Sequence, residues 1–172
     1  AFTVQRDQSK ATGDGEMGGY EASDFLWGKA ADVAPTTSVV RLSMQHRMAN
    51  ARVTLVEGAG FAEGEWASTE KGVLVANLIR EATINLNDGT VTASGGVENT
   101  TTVPSRVNDE WRAIVVPQTV AAGTTMFSIT IGGVAYKFNK NEDFTYMAGK
   151  MSNFAIRVDK KENSGQFALT LI

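Results

Sequence analysis

The chain has 172 residues, 42% of them hydrophobic and 20% charged, with a formal net charge of −3. That is ordinary globular usage, unlike disordered, collagenous or coiled-coil chains. With 16 Lys plus Arg against 19 Asp plus Glu there is no electrostatic footprint for a phosphate backbone, so nucleic acid is not an expected partner. No run approaches the ~18 apolar residues of a bilayer span. The absence of Cys excludes disulfides, thiolate metal sites and thiol nucleophiles, and the single His, His46, excludes multi-histidine centres; no metal or cofactor is expected. The start at Ala1, without Met or a signal-peptide core, reads as a processed or partial form.

In chain order, residues 9–20 carry glycines without an apolar period and read as an exposed loop. Residues 36–57 fit two periods. Met44, Met48, Ala51 and Leu55 make a helix stripe, whereas Val40, Leu42, Met44, Val53 and Leu55 alternate; the β-branched content favours strands, as it does over 70–84. A hairpin is expected to join 84–86 to 90–92 through Asn87, Asp88 and Gly89. Residues 95–109 are polar, with Gly95, Gly96, Pro104 and a threonine run. They read as a linker between an N-terminal unit, 1–98, and a C-terminal unit, 99–172.

Ala113 to Val116 are four consecutive apolar residues, the mark of an inner strand covered on both faces, and Pro117 stops it. The clearest signal is Phe127 to Phe138, where apolar alternation on both sides of Gly132 and Gly133 predicts a hairpin with a primed turn. A second strand pair is expected at 154–158 and 167–171. Phe127, Ile129, Ile131, Val134, Tyr136, Phe138, Phe154, Ile156 and Val158 are the expected packing positions. Many short strands with turns about every ten residues indicate an all-β sandwich.

No catalytic residues are assigned. A hydrolytic triad would have only His46 as base, in a segment where a packed histidine is the better reading. Glu63, Glu65, Asp109, Glu110, Glu142 and Asp143 lie in polar stretches without an apolar pocket to raise a carboxyl pKa. The stretch Asn139 to Asp143 lacks the Gly and distal Glu of a calcium loop. Asn99, Thr100 and Thr101 form a sequon of a kind common by chance. Trp66 and Trp27, near loops, are candidate contacts for a glycan through their ring faces, whereas Trp111 leads the inner strand.

Several segments, taken in order, resemble the fimbrillin-like family of pilus subunits and tip proteins from anaerobic bacteria. They are Ala1 to Ser9 with its Asp7-Gln8-Ser9, Ser23-Asp24 with Leu26, Leu42 to Ala49 with His46, and Ala113 to Gln118 with Pro117-Gln118. The 127–138 hairpin and the 144–158 segment complete the match. The resemblance implies two β-sandwich units of transthyretin-like topology, the first incomplete because the family has further strands before the point where Ala1 falls. It implies a non-enzymatic fimbrial subunit or tip adhesin, made as an exported lipoprotein precursor and displayed at the cell surface, on the outer membrane or in the fimbrium. Its partners would be other pilus subunits, joined by strand insertion, and a glycan or protein of a host or bacterial surface. The alternative function is a carbohydrate-binding β-sandwich module of a surface-attached system.

Overall fold

The computed structural model describes residues 1–13, 16–35, 39–98 and 100–172. The elements in order are β1 (Phe2–Thr3), α1 (Gly19–Ala22), β2 (Leu26–Trp27), β3 (Gln45–His46), β4 (Ala49–Glu57), α2 (Glu65–Ser68), β5 (Lys71–Val75), β6 (Glu81–Asn85), β7 (Thr90–Ser94) and β8 (Ser105–Val107). They continue with β9 (Glu110–Val115), β10 (Gln118–Val120), β11 (Thr125–Ile131), β12 (Val134–Asn139), β13 (Phe144–Tyr146), β14 (Met151–Lys160) and β15 (Phe167–Leu171). The chain is thus nearly all β, as its alternation predicted.

Two sheets face each other, one in the order β15-β14-β4-β9-β8 and one in the order β12-β11-β5. The central strand β4 buries Ala49, Ala51, Val53 and Leu55 on one face, and the alternation that competed with a helix stripe is the one realised. Its neighbours are β9, antiparallel, with Ala51 opposite Ala113, and β14, parallel, with Val53 opposite Phe154. The β11–β12 hairpin turns through Gly132 and Gly133 at φ of 56° and 80°, which a primed turn needs and only glycine adopts cheaply. A bulge between Thr125 and Phe127 turns both Met126 and Phe127 inward. Phe127 meets Phe154 of the opposite sheet edge-on at 4.9 Å, joining the two inner faces. Of the expected packing positions, Val134 is exposed, because it follows the turn on an edge strand; Tyr136 and Phe138 are half-buried and the others are buried.

A third layer lies on the outer face of the larger sheet. The order β1-β6-β7 forms a small sheet, and Val4, Met48, Ala82, Ile114 and Val116 make a second core with Phe2, Phe25 and Ile84 packed on it. This explains the apolar run at 113–116. Ala113 and Val115 enter the first core while Ile114 and Val116 enter the second, so the strand is covered on both faces. The hairpin expected at 84–92 forms as β6–β7, with Gly89 at φ 75° closing its turn.

Two stretches depart from expectation. Val40, Leu42 and Met44 are exposed and lie outside any strand; among the described residues no chain pairs with them, and strand structure begins at Gln45. Residues 36–38 and Asn99 of the sequon lie outside the described residues. The polar stretch 95–109 is not an exposed linker throughout. Thr102 is buried and exchanges two main-chain hydrogen bonds with Val75, at 3.0 and 2.7 Å, and 105–107 form β8. Strands from both sides of position 98 share the two facing sheets, since β4 pairs with β9 and β14, and β5 with β11.

Candidate functional site

The sandwich has two long sides where edge strands of the facing sheets run near each other. On one side stand β12 and β15. The Phe167 N–H donates to Tyr136 Oη at 3.0 Å and the two rings meet edge-on, which closes that end. Further along, a cavity of about 400 Å³ opens between Phe138, the polar turn 139–142 and Leu171. β15 pairs only with residues 156–160 of β14, and Ile172 N–H reaches Ala155 O at 2.9 Å. Beyond that point Met151 to Phe154 pair with β4 on one side, and among the described residues no strand pairs with the other. Met151, Leu171 and Ile172 are exposed there, at 51%, 42% and 62%. In the sheet facing it, β12 pairs only with β11, so among the described residues its outer main-chain groups have no strand beside them.

The opposite side, β5 with β8, presents the same situation and resolves it differently. β8 is also shorter than its neighbour and stops at Ser105, opposite Arg112. Here the side chain of Gln8, fully buried, fills the vacancy. Its Nε2 donates to Ile114 O at 2.8 Å and its Oε1 accepts from Ile114 N–H at 2.8 Å, as a neighbouring strand would. Gln8 N–H in turn donates to Val103 O. Arg106 Nη1 donates to Lys71 O at 3.2 Å, and the buried Lys71 ammonium donates to Trp66 O at 2.7 Å and lies 3.2 Å from Asp109. Charge, Pro104 and the Gln8 amide together deny this side to another strand.

The fold is shared with known proteins. Residues 2–170 match the fimbrillin-like family. The chain belongs to that family. Solved structures assigned to cell adhesion from Bacteroides thetaiotaomicron, Bacteroides uniformis and Bacteroides fragilis superpose with a TM-score of 0.53 each, at 24%, 15% and 14% identity. The matches cover 78%, 77% and 76% of this chain and 54%, 53% and 46% of those chains, so this fimbrillin-like chain spans about half their length. No curated protein matches the sequence.

The residues that carried the family resemblance do structural work in this fimbrillin-like chain. Gln118 repeats the device of Gln8. Its Oε1 accepts from Ile79 N–H at 2.8 Å while its Nε2 donates to Ile79 O at 2.9 Å and Val116 O at 3.0 Å. Ser23, buried, accepts from Gln5 N–H and donates to Gly19 O. Asp24 and His46 come together, Oδ2 to Nδ1 at 2.6 Å. Sequence reasoning missed both glutamine contacts; the only signal was a glutamine beside each strand end, which periodicity does not weigh.

The two candidate glycan contacts do not form one platform. Trp27 has the Arg47 guanidinium 4.8 Å from its ring centroid, packs beside Gly89, and donates from Nε1 to Leu86 O at 2.9 Å. Trp66 packs edge-on to Phe61 at 5.2 Å, and the Lys71 ammonium lies over its ring at 4.2 Å. Trp111 is buried. The acids considered earlier have local partners: Glu65 with Lys160, Asp109 with Lys71 and Arg106, Glu110 with Arg52, Glu142 with Lys140, and Asp143 with the Ala122 N–H. Glu63 is exposed. The Glu65 carboxyl is held below its usual range by the Lys160 ammonium and then by the Ala62 N–H. Among the described residues no group of His, Asp and Glu could hold a metal ion, and no helix is long and apolar enough to cross a membrane.

Proposed function

We propose that this chain is a non-enzymatic subunit of a cell-surface fimbrium, in the stalk or at the tip, that joins other subunits by strand complementation along the edge strand β12. Family membership supports the fimbrial role and a location at the cell surface, in the fimbrium or on the outer membrane. One observation carries the mechanism. The edge strand β12 pairs only with β11, and among the described residues nothing stands in for a strand beside it, while the opposite side of the sandwich is plugged by Gln8. A strand laid along β12 would gain main-chain hydrogen bonds worth about 0.5–1.5 kcal/mol each and cover the exposed Val134.

The test is a denaturing gel of the natural surface-extracted protein, unheated beside heated, because inserted strands dissociate slowly. A ladder that collapses on heating supports the reading; a single band in both lanes removes strand complementation and leaves an adhesin joined by other means.

A further inference from the structure

A cavity of about 290 Å³ lies where α1, β3, β4 and the turn before β14 meet. Its floor is apolar, formed by Met48 and Ile114, both buried, with Met151 at the rim. Its polar lining comes from Tyr20, Asp24, His46, Asn50 and Lys150. Asn50 Nδ2 donates to Tyr20 Oη at 2.6 Å, which leaves the phenol proton free to be donated, and Asn50 Oδ1 is buried without a partner among the described residues. Asp24 gives one oxygen to His46, and its other oxygen has no hydrogen-bond partner among the described residues.

These groups constrain the ligand class. Charge within the lining is balanced, Lys150 against Asp24, so neither a phosphate nor a free cation is selected. A purely apolar guest would strand the Asp24 carboxylate and the Tyr20 hydroxyl away from water, at a cost of several kcal/mol. The lining brings both donors and acceptors to an apolar floor, and a hydroxyl both donates and accepts. A ring carrying several hydroxyls and one apolar face satisfies all of this, and the volume holds one such ring.

We propose that this cavity binds one uncharged sugar ring of a glycan, with Asp24 accepting from ring hydroxyls, Tyr20 and Lys150 donating to them, and Met48 and Ile114 under the apolar face. The site is distinct from Trp27 and Trp66. It extends the surface-subunit reading to an adhesion target and rests on that reading only for its biological setting.

Saturation-transfer NMR with a panel of methyl hexosides and methyl N-acetylhexosaminides, on the whole chain, tests it. Transfer to the ring protons of at least one glycoside is expected, with affinity falling about tenfold or more in Asp24→Asn, which keeps the side-chain shape, and in Lys150→Ala, which alters an exposed residue. Amide spectra check that each variant is folded. No transfer from any glycoside overturns the proposal. So does binding that survives both variants and is lost in Trp66→Ala or Trp27→Ala. A heat-sensitive ladder without glycoside binding sinks the pocket alone, and glycoside binding without a ladder sinks strand complementation alone.

Discussion

The two sides of the sandwich pose one problem and answer it in opposite ways. On each, main-chain groups at the edge of a sheet have no neighbouring strand. At the β8 side a single glutamine amide, delivered from the N-terminal segment, supplies a donor and an acceptor to Ile114. At the β12 side nothing among the described residues is delivered to the outer edge of Val134 through Asn139. The difference is one of disposition rather than of hydrophobic content, since both sides back onto the same core. It teaches that an edge is protected by what occupies it: an amide, a proline and a cation suffice where a strand is missing.

Breaking the plugged side should have the largest effect. Gln8→Ala would leave the Ile114 N–H and C=O buried and unpaired, costing about 3 kcal/mol, which for a chain of this length lowers Tm by roughly 6–12 °C. Calorimetry reads it directly. A Tm within about 2 °C of the parent would show that water or a neighbouring group replaces the amide, and the contrast between the sides would collapse.

A smaller effect, of opposite sign, is expected behind the vacant side. Tyr146 is buried beside Phe144 and Phe154, and among the described residues its Oη has no hydrogen-bond partner. Burial pushes its phenol pKa up, well beyond the ordinary value. Tyr146→Phe removes an unsatisfied polar atom without changing the ring and should stabilise by about 1 kcal/mol, raising Tm by roughly 2–4 °C. A fall in Tm would mean that the hydroxyl has a partner.

Val134→Lys sharpens the comparison at almost no cost in stability, within about 0.5 kcal/mol, because the side chain is already exposed. A lysine on the edge discourages strand addition. The unheated ladder should disappear while the melting curve stays in place; an undiminished ladder would move the assembly contact away from β12.

Much of this fold was legible because it is local. The 127–138 and 84–92 hairpins carry their turn chemistry within two to four residues, and the run at 113–116 announces two covered faces by having no polar position. What escaped was set by distance along the chain. Thr102 looks like one threonine of a polar run until Val75 is opposite it. Gln8 and Gln118 are ordinary polar residues until Ile114 and Ile79 present unpaired main-chain groups. Alternation at Val40, Leu42 and Met44 predicted a strand, but alternation specifies a face, and a strand also needs a partner. Which edge stays unpaired had no signature in the sequence, because an edge strand is defined by the lack of a neighbour rather than by its own residues.

The smallest effect lies in how the plug is held. Glu98 accepts from Arg6 Nη2 and Arg80 Nη2, each at 2.8 Å, so it clasps the segment that brings Gln8 to β9. Hydrogen bonds from Arg80, then from Arg6, lower its carboxyl pKa from 4.5 to about 2. A carboxyl depressed in the folded state binds its proton more readily when unfolded, so it stabilises the fold above pH 4.5, and that contribution is lost as the pH falls from 4.5 to about 2. Salt and solvent screen an ion pair this exposed, and the effect should be modest. Melting curves of the parent and of Glu98→Gln, compared from neutral pH downward, should differ most above pH 4.5 and converge as pH 2 is approached. Amide exchange at Gln8 and Ile114 should quicken over the same window in the parent, since loosening the clasp loosens the plug; exchange that stays constant through it would show that Gln8 is held by its own two hydrogen bonds and needs no clasp.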